Sequence, residues 1–87
     1  MGYSLAMQVR LLFFGMLKEI AGHDSESLEL PAGSRVSDLL ASCASRSPRL
    51  KQYLPSVAVA VNEEYGQPGA ELHDRDVVAL IPPVSGG

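Results

Sequence analysis

The chain lacks the features that mark several common classes of protein. It has one cysteine in 87 residues, which excludes an internal disulfide and fits a cytoplasmic setting. It has no run of basic residues and a net charge of −3, so the electrostatic footprint of a nucleic-acid-binding protein is missing. No apolar stretch is long enough to span a bilayer, and residues 1–6 lack a basic region followed by an apolar one, so we expect no signal peptide. We therefore expect neither a nucleic acid nor a membrane as a partner.

The remaining composition is that of one small folded domain. Apolar residues make up 46% of the chain, which is too large a share for a disordered protein. A domain of this size buries about 60–65% of its unfolded surface, which is enough for one core. We predict an N-terminal extension at residues 1–6, a domain at residues 7–81 and a C-terminal tail at residues 82–87.

Apolar periodicity predicts an α+β domain in which a sheet packs on one main helix. Strands are expected at 7–14, 27–30, 57–61 and 77–81. A short helix at 16–21 ends at Gly22, and a longer helix begins after Ser34, its expected N-cap. The longer helix has one apolar face, made of Val36, Leu39, Leu40 and Cys43. Residues 62–66 are expected to turn away from the third strand, and residues 67–75 to form a loop.

The last six residues are the most informative segment of the chain. They are Pro82, Pro83, Val84, Ser85, Gly86 and Gly87. Proline fixes φ near −65° and has no N–H, so we expect the tail to leave the domain as a stiff segment outside the sheet. Six residues reach at most about 20 Å, which suits the insertion of a free C-terminal carboxylate into a narrow site on another protein. A frayed terminus is the alternative, but fraying does not require this composition.

The alternation of side chains along the strands predicts an exposed apolar surface near the tail. If Arg10 faces solvent, then Leu12 and Phe14 lie on the same face of the first strand, and the alternate residues Val9, Leu11 and Phe13 face the core. If Val78 and Leu80 are buried in the last strand, then Ile81 faces outward beside the tail. Exposed apolar side chains clustered near a functional tail indicate an interface. The alternative is that the short helix covers Phe14.

No residue of the chain has the setting expected of a catalytic group. His23 and His73 are isolated in polar loops, and Cys43 is expected to be a buried small hydrophobe rather than a persulfide carrier. Asp74 and Asp76 lack a third ligand and make a weak metal site. Because no Gly-rich phosphate loop is present, any ATP would be bound by a partner.

The chain resembles the small subunits of molybdopterin synthase, which are ubiquitin-like β-grasp sulfur carriers. The resemblance spans residues 7–87, and its matching pieces are Leu12-Phe13-Phe14, residues 17–22, Ala60-Val61-Asn62 and residues 76–87. Gly-Gly ends all ubiquitin-like carriers, whereas Pro-Pro-Val-Ser-Gly-Gly after a hydrophobic strand is specific to this family. The family fold implies a mixed sheet on one main helix with a protruding tail. Arg75 replaces a glycine common in the family, which costs about 1 kcal/mol if that turn needs a positive φ.

The resemblance implies a sulfur donor that has no catalytic side chains and no stably bound cofactor. A ubiquitin-activating-type adenylyltransferase would use ATP to adenylate Gly87, and a sulfur-relay protein would supply the sulfur of a thiocarboxylate. The tail would enter the active site of the large subunit of a heterotetramer, where the sulfur passes to cyclic pyranopterin monophosphate to form the molybdopterin dithiolene. The family's large-subunit interface corresponds here to Phe14, Tyr65 and Ile81.

Other functions would use the same terminal carboxylate. The chain could carry sulfur for thiamine synthesis or for tRNA thiolation, or it could be a ubiquitin-like modifier that is joined to lysines of target proteins. These functions differ in the acceptor, which lies outside this chain. A purely structural domain is the remaining alternative, and it leaves the tail unexplained.

Overall fold

The computed structural model describes residues 6–83, in which five strands form one mixed sheet. The strands are β1 (Ala6–Phe13), β2 (Ser25–Pro31), β3 (Ala58–Val61), β4 (Glu64–Tyr65) and β5 (Val77–Ile81). They lie in the order β2-β1-β5-β3-β4, with β1 and β5 parallel and the other neighbours antiparallel. The last strand of the chain, β5, therefore lies at the centre of the sheet.

Three α-helices connect the strands. They are α1 (Met16–Ala21), α2 (Val36–Arg46) and α3 (Pro48–Lys51), and a 3₁₀ helix follows at Leu54–Ser56. As predicted, α1 ends at Gly22, whose φ of 86° is left-handed. Among the described residues, no helix is both long enough and apolar enough to cross a membrane.

The predicted N-cap of α2 is wrong by one residue. The hydroxyl of Ser34 donates to the carbonyl of Pro31 at 2.7 Å, so this side chain closes the turn after β2. Arg35 occupies the cap position instead, and its backbone N–H donates to the carboxylate of Asp38 at 2.7 Å. The first turn of α2 is thus capped from within the helix.

One core lies between the sheet and the helices. The strands contribute the alternate residues that were predicted to face inward, including Val9, Leu11, Phe13, Val78 and Leu80. The helices contribute Leu17, Val36, Leu39 and Cys43. This arrangement is the predicted ubiquitin-like β-grasp fold, with α2 as the main helix.

The bounds of β1, β2 and β3 differ from the predicted ones by one or two residues, and β4 was not predicted. β1 begins at Ala6, and β2 begins at Ser25, where it pairs with Leu12. Residues 62–66 do not turn away, because Asn62 and Glu63 have φ values of 51° and 71° and reverse the chain into β4. Positive φ at both central residues is typical of a two-residue hairpin.

Candidate functional site

The face of the sheet opposite the core carries an apolar groove of about 610 Å³. Phe14, Tyr65 and Ile81, which sequence parity and the family resemblance singled out, all line it. The other lining residues are Leu12, Ala60, Asn62, Glu63, Val77 and Ala79. The structure therefore brings all three residues of the predicted interface to one surface.

The groove follows from the pairing of side chains across four strands. Leu12 pairs with Ala79, Ala79 pairs with Ala60, and Ala60 pairs with Tyr65. Side chains directly opposite each other in neighbouring strands project from the same face of the sheet. The row therefore has two alanines in its middle and a large side chain at each end, which makes the surface concave.

Three large apolar or aromatic side chains are exposed in the described part of the chain. Phe14 is 47% exposed and Tyr65 is 82% exposed, while Met16 on α1 is also exposed. The alternative in which the short helix covers Phe14 is therefore wrong. Helix α1 instead directs Leu17 into the core and leaves Phe14 open to a partner.

The C-terminal tail begins at one end of the groove. Pro82 directly follows Ile81, is half-buried and belongs to no strand, and Pro83 is exposed. The predicted tail residues Val84, Ser85, Gly86 and Gly87 lie outside the described residues, as do residues 1–5 of the predicted N-terminal extension. The described part of the tail thus continues directly from a strand that lines the groove.

Charged side chains of both signs flank the apolar groove. Glu63 lines it near the β3–β4 turn. On the other side, a depression of about 450 Å³ shares Leu12 and Phe14 with the groove and is also lined by Arg10, Lys18 and Asp24. The apolar surface therefore has a polar rim, as in many protein–protein interfaces.

Cys43 is buried in the core on the other side of the sheet, as predicted, and is 3% exposed. Burial raises the pKa of its thiol from 9.0 to about 11, with the nearby carboxylate of Glu26 raising it further and the guanidinium of Arg46 lowering it. The thiolate is the reactive form of cysteine, so this environment disfavours sulfur chemistry at Cys43.

The two histidines take part in local contacts near the surface. Nε2 of His23 lies 3.0 Å from Oε2 of Glu26, which also accepts from Arg46 at 3.3 Å. The ring of His23 packs edge-on against Phe13, with 5.7 Å between the ring centroids. His73 is exposed, and neither histidine lines the groove.

The two candidate metal-binding carboxylates accept backbone hydrogen bonds instead. Asp76 accepts from the backbone N–H of His73 at 2.8 Å and from the side chain of Asn62 at 2.9 Å. Asp74 accepts from the backbone N–H of Gln8 at 2.7 Å. Within residues 6–83, no group of three His, Cys, Asp or Glu side chains is placed to hold a metal ion. This turn therefore joins β1, β3 and β5 and has the geometry of a structural element.

Sequence reasoning missed four apolar residues of the groove. They are Leu12, Ala60, Val77 and Ala79. Alternation had already placed Leu12 on the face of Phe14 without assigning it to the interface, and Val77 and Ala79 have the parity of Ile81, so the same pattern could have added all three. Ala60 carried no such signal, because its place in the groove depends on how β3 pairs with β5.

Comparison with known proteins gives three consistent similarities. A family model described as the ThiS family matches residues 11–87. The chain is 39% identical over 83 residues to the molybdopterin synthase sulfur carrier subunit of Chlamydomonas reinhardtii, covering 93% of this chain and 100% of the relative. It also resembles the solved structure of a putative molybdopterin converting factor, subunit 1, from Pyrococcus furiosus, with 36% identity, a TM-score of 0.82, and coverage of 90% of this chain and 99% of that one.

A further similarity is to a chain in a solved complex. The complex contains subunits 1 and 2 of the molybdopterin-converting factor from Helicobacter pylori. The matched chain is 32% identical with a TM-score of 0.64, and the match covers 93% of the chain described here and 100% of the other.

Proposed function

The chain belongs to the ThiS family, and on that premise we propose that it is the sulfur carrier subunit of a molybdopterin synthase. Relatives with that name span nearly the whole chain, as the Chlamydomonas protein does. The observation that carries the proposal is the continuity between an exposed apolar groove, which ends at Ile81, and a tail that begins at Pro82. A single partner protein would cover the groove and receive the tail.

The proposed chemistry takes place at the carboxylate of Gly87. A carboxylate is a poor acyl donor, so it first attacks ATP to form an acyl adenylate with release of pyrophosphate. The outer sulfur of a persulfide on a relay protein then displaces AMP to form an acyl disulfide, and a thiol reduces that disulfide to leave the thiocarboxylate. The thiocarboxylate sulfur is a good nucleophile, and it attacks cyclic pyranopterin monophosphate in the large subunit to form a thioester. Water then cleaves the acyl–sulfur bond, which leaves the sulfur on the pterin and restores the carboxylate of Gly87. Since a dithiolene contains two sulfur atoms, each product consumes two charged carriers.

In this proposal the partner proteins catalyse the reactions, and this chain supplies a reactant. Cys43 is buried with a raised pKa, and His23 is paired with Glu26 and does not line the groove. The chain contributes a reactant and holds it in place, which greatly raises the effective concentration of the sulfur nucleophile. ATP is handled by a ubiquitin-activating-type adenylyltransferase, and this chain binds no cofactor stably.

We assign the groove to the large subunit of a heterotetramer. Phe14, Tyr65 and Ile81 supply aromatic and aliphatic anchors, and the alanines between them leave room for side chains of the partner. The residues that follow, Pro82, Pro83, Val84, Ser85 and Gly86, pass into the partner's active site. The tail must enter a narrow channel in both the activating enzyme and the large subunit, and a glycine at position 86 has no Cβ that would clash with the channel walls.

The proposal is tested by following the mass of the intact protein. Incubation with ATP, the activating enzyme and a sulfur source should raise the mass by the difference between one sulfur and one oxygen atom. Addition of the large subunit and the pterin precursor should remove that increment, with two carriers consumed per product. The Cys43→Ala variant should be charged equally well, whereas a variant lacking Gly87 should not be charged although its thermal melt is unchanged.

Each failure has a separate meaning. Sulfur found on Cys43 would contradict carriage at the terminus. A thiocarboxylate that the pterin precursor never discharges would contradict the molybdopterin assignment. In that case discharge into a thiamine precursor or a tRNA, or the appearance of denaturation-resistant conjugates, would identify the acceptor.

A further inference from the structure

Gly15 joins β1 to α1 in a backbone conformation that side chains rarely allow. Its φ is 55° and its ψ is −136°, close to a region that glycine alone occupies. The residues around it are fixed by backbone hydrogen bonds. The N–H of Phe14 donates to Leu80 at 3.2 Å, and the N–H of Lys18 donates to Gly15 at 3.1 Å. Gly15 is therefore held between the central strand and the first helix.

The open side of Gly15 faces the first residue of the tail. A Cβ built on Gly15 would lie 2.9 Å from Cγ and 3.7 Å from Cδ of Pro82. Gly22 and Gly33 also have positive φ, of 86° and 88°, but a Cβ on either would meet nothing within 4 Å. Backbone conformation alone accounts for those two glycines, whereas Gly15 also leaves the space that the ring of Pro82 occupies.

A shift of Pro82 would change the direction of the whole tail. The proline ring is rigid and its φ is fixed, so a displacement at this position is passed to the residues that follow. Gly87 lies five positions after Pro82 in the sequence. A small rotation at Pro82 therefore becomes a large displacement at Gly87. A misplacement of about 1 Å at a reacting atom can cost about 100-fold in rate.

We propose that Gly15 is a positioning residue for the sulfur-carrying tail. Its missing side chain lets Pro82 pack against the β1–α1 connection, and this contact sets the direction in which the tail leaves the domain. Gly15 acts through Pro82 and does not touch the substrate. The inference rests on the proposed function, in which the tail delivers Gly87 to the active sites of two partners.

The first test uses the isolated protein in solution. Nuclear magnetic resonance should show a contact between the α protons of Gly15 and the ring protons of Pro82. The Gly15→Ala variant should shift the amide resonances of Val84 and Ser85. Gly22→Ala is the matched control, because it also places alanine at a positive φ but has no neighbour to displace. Both variants should lower the melting temperature, and only the first should shift the resonances of the tail.

The second test separates positioning from binding. With saturating large subunit, charged Gly15→Ala should discharge its sulfur about 10-fold more slowly or worse, while its Kd for that subunit changes by less than about 3-fold. Gly22→Ala should retain both values. Replacing Pro82 with alanine in the Gly15→Ala background removes the ring atoms that would clash, so the double variant should discharge faster than Gly15→Ala alone.

Two results would overturn the assignment. One is a Gly15→Ala variant whose tail resonances match those of Gly22→Ala. The other is a loss of partner affinity as large as the loss of rate, because that result would place Gly15 in the interface. If the wild-type chain never discharges to the pterin precursor, the proposed function fails, but the resonance comparison still decides whether Gly15 directs the tail.

Discussion

The two faces of the central strands differ in what their side chains contact. On the inner face, Leu11, Val78 and Leu80 are fully buried against the helices. On the outer face, Leu12 and Ile81 are half-buried and line an apolar groove. Residues next to each other in the sequence are thus separated by the sheet, and one set fills the core while the other remains open.

The difference shows that hydrophobicity in this chain serves two purposes. A sheet packed on one side usually alternates apolar and polar residues, because its other face meets water. β5 is apolar on both faces, and the core explains only Val78 and Leu80. The outer apolar residues Val77, Ala79 and Ile81 need a different explanation, and the proposed docking of the large subunit supplies one. Substitutions on the inner face should therefore reduce stability, and those on the outer face should reduce binding.

The largest effect is expected from Leu11→Ala. Leu11 is completely buried, so the substitution leaves a cavity and should lower the free energy of unfolding by about 2–5 kcal/mol. Denaturant titration measures this loss. Leu12→Ala is the matched control on the next residue, where the half-buried side chain should cost less than about 1.5 kcal/mol. Equal losses at the two positions would contradict the separation of the faces.

The next effect concerns the ionisation of Cys43, which α2 buries in the core. The pKa of the Cys43 thiol is 9.0 ordinarily and about 11 in the folded protein. The folded state holds this proton more tightly than the unfolded state, so the stabilisation is complete below pH 9 and is lost as the pH rises from 9 to 11. Two pKa units correspond to about 2–3 kcal/mol.

Comparison of the wild type with Cys43→Ala isolates this contribution from other groups that titrate in alkali. The free energy of unfolding should fall more steeply between pH 8 and pH 11 in the wild type than in the variant. Parallel pH profiles for the two proteins would show that Cys43 ionises as easily in the core as in the unfolded chain.

On the outer face, a charge should weaken partner binding without unfolding the domain. Phe14→Asp or Ile81→Asp should reduce the affinity for the large subunit by about 2 kcal/mol or more, because each places a carboxylate in an apolar contact. Calorimetric titration gives the affinity, and a thermal melt reports the fold. Ser27→Asp adds the same charge to an exposed position of β2 outside the groove and should leave binding unchanged. Undiminished binding by the first two variants would exclude the groove as the interface.

The local sequence pattern was sufficient to predict which face of the sheet many of these side chains occupy. Alternation in β1 correctly assigned Leu11 inward and Phe14 outward, because every second side chain of a strand lies on the same face. The apolar spacing of α2 and the glycine after α1 predicted both helices. The tail was identified from its composition, and its chemistry remains a proposal.

The features that were missed depend on contacts between distant residues or on unusual turn chemistry. The groove exists because Ala60 pairs with Ala79 and with Tyr65, and a single sequence does not state this register. β4 was predicted as part of a turn because the hairpin uses Asn62-Glu63, in which glutamate takes the place usually held by glycine. The cap of α2 was misplaced because Ser34 bonds backward to Pro31.

The smallest effect is expected at Arg75, whose side chain belongs to neither face. It is 91% exposed, and its Nε lies 3.8 Å from a carboxylate oxygen of Asp74. The φ of Arg75 is 71°, which is the positive φ that the family's usual glycine had indicated. Arg75→Gly should raise the free energy of unfolding by about 1 kcal/mol, because glycine adopts this conformation without steric cost. Arg75→Ala removes the same side chain but keeps a Cβ at positive φ, so it should give no such gain. If both variants gain equally, the side chain rather than the backbone is the source of the strain. If only the glycine variant gains and its affinity for the large subunit is unchanged, then stability can be altered at the end of the sheet opposite the tail without affecting the proposed interface on the outer face.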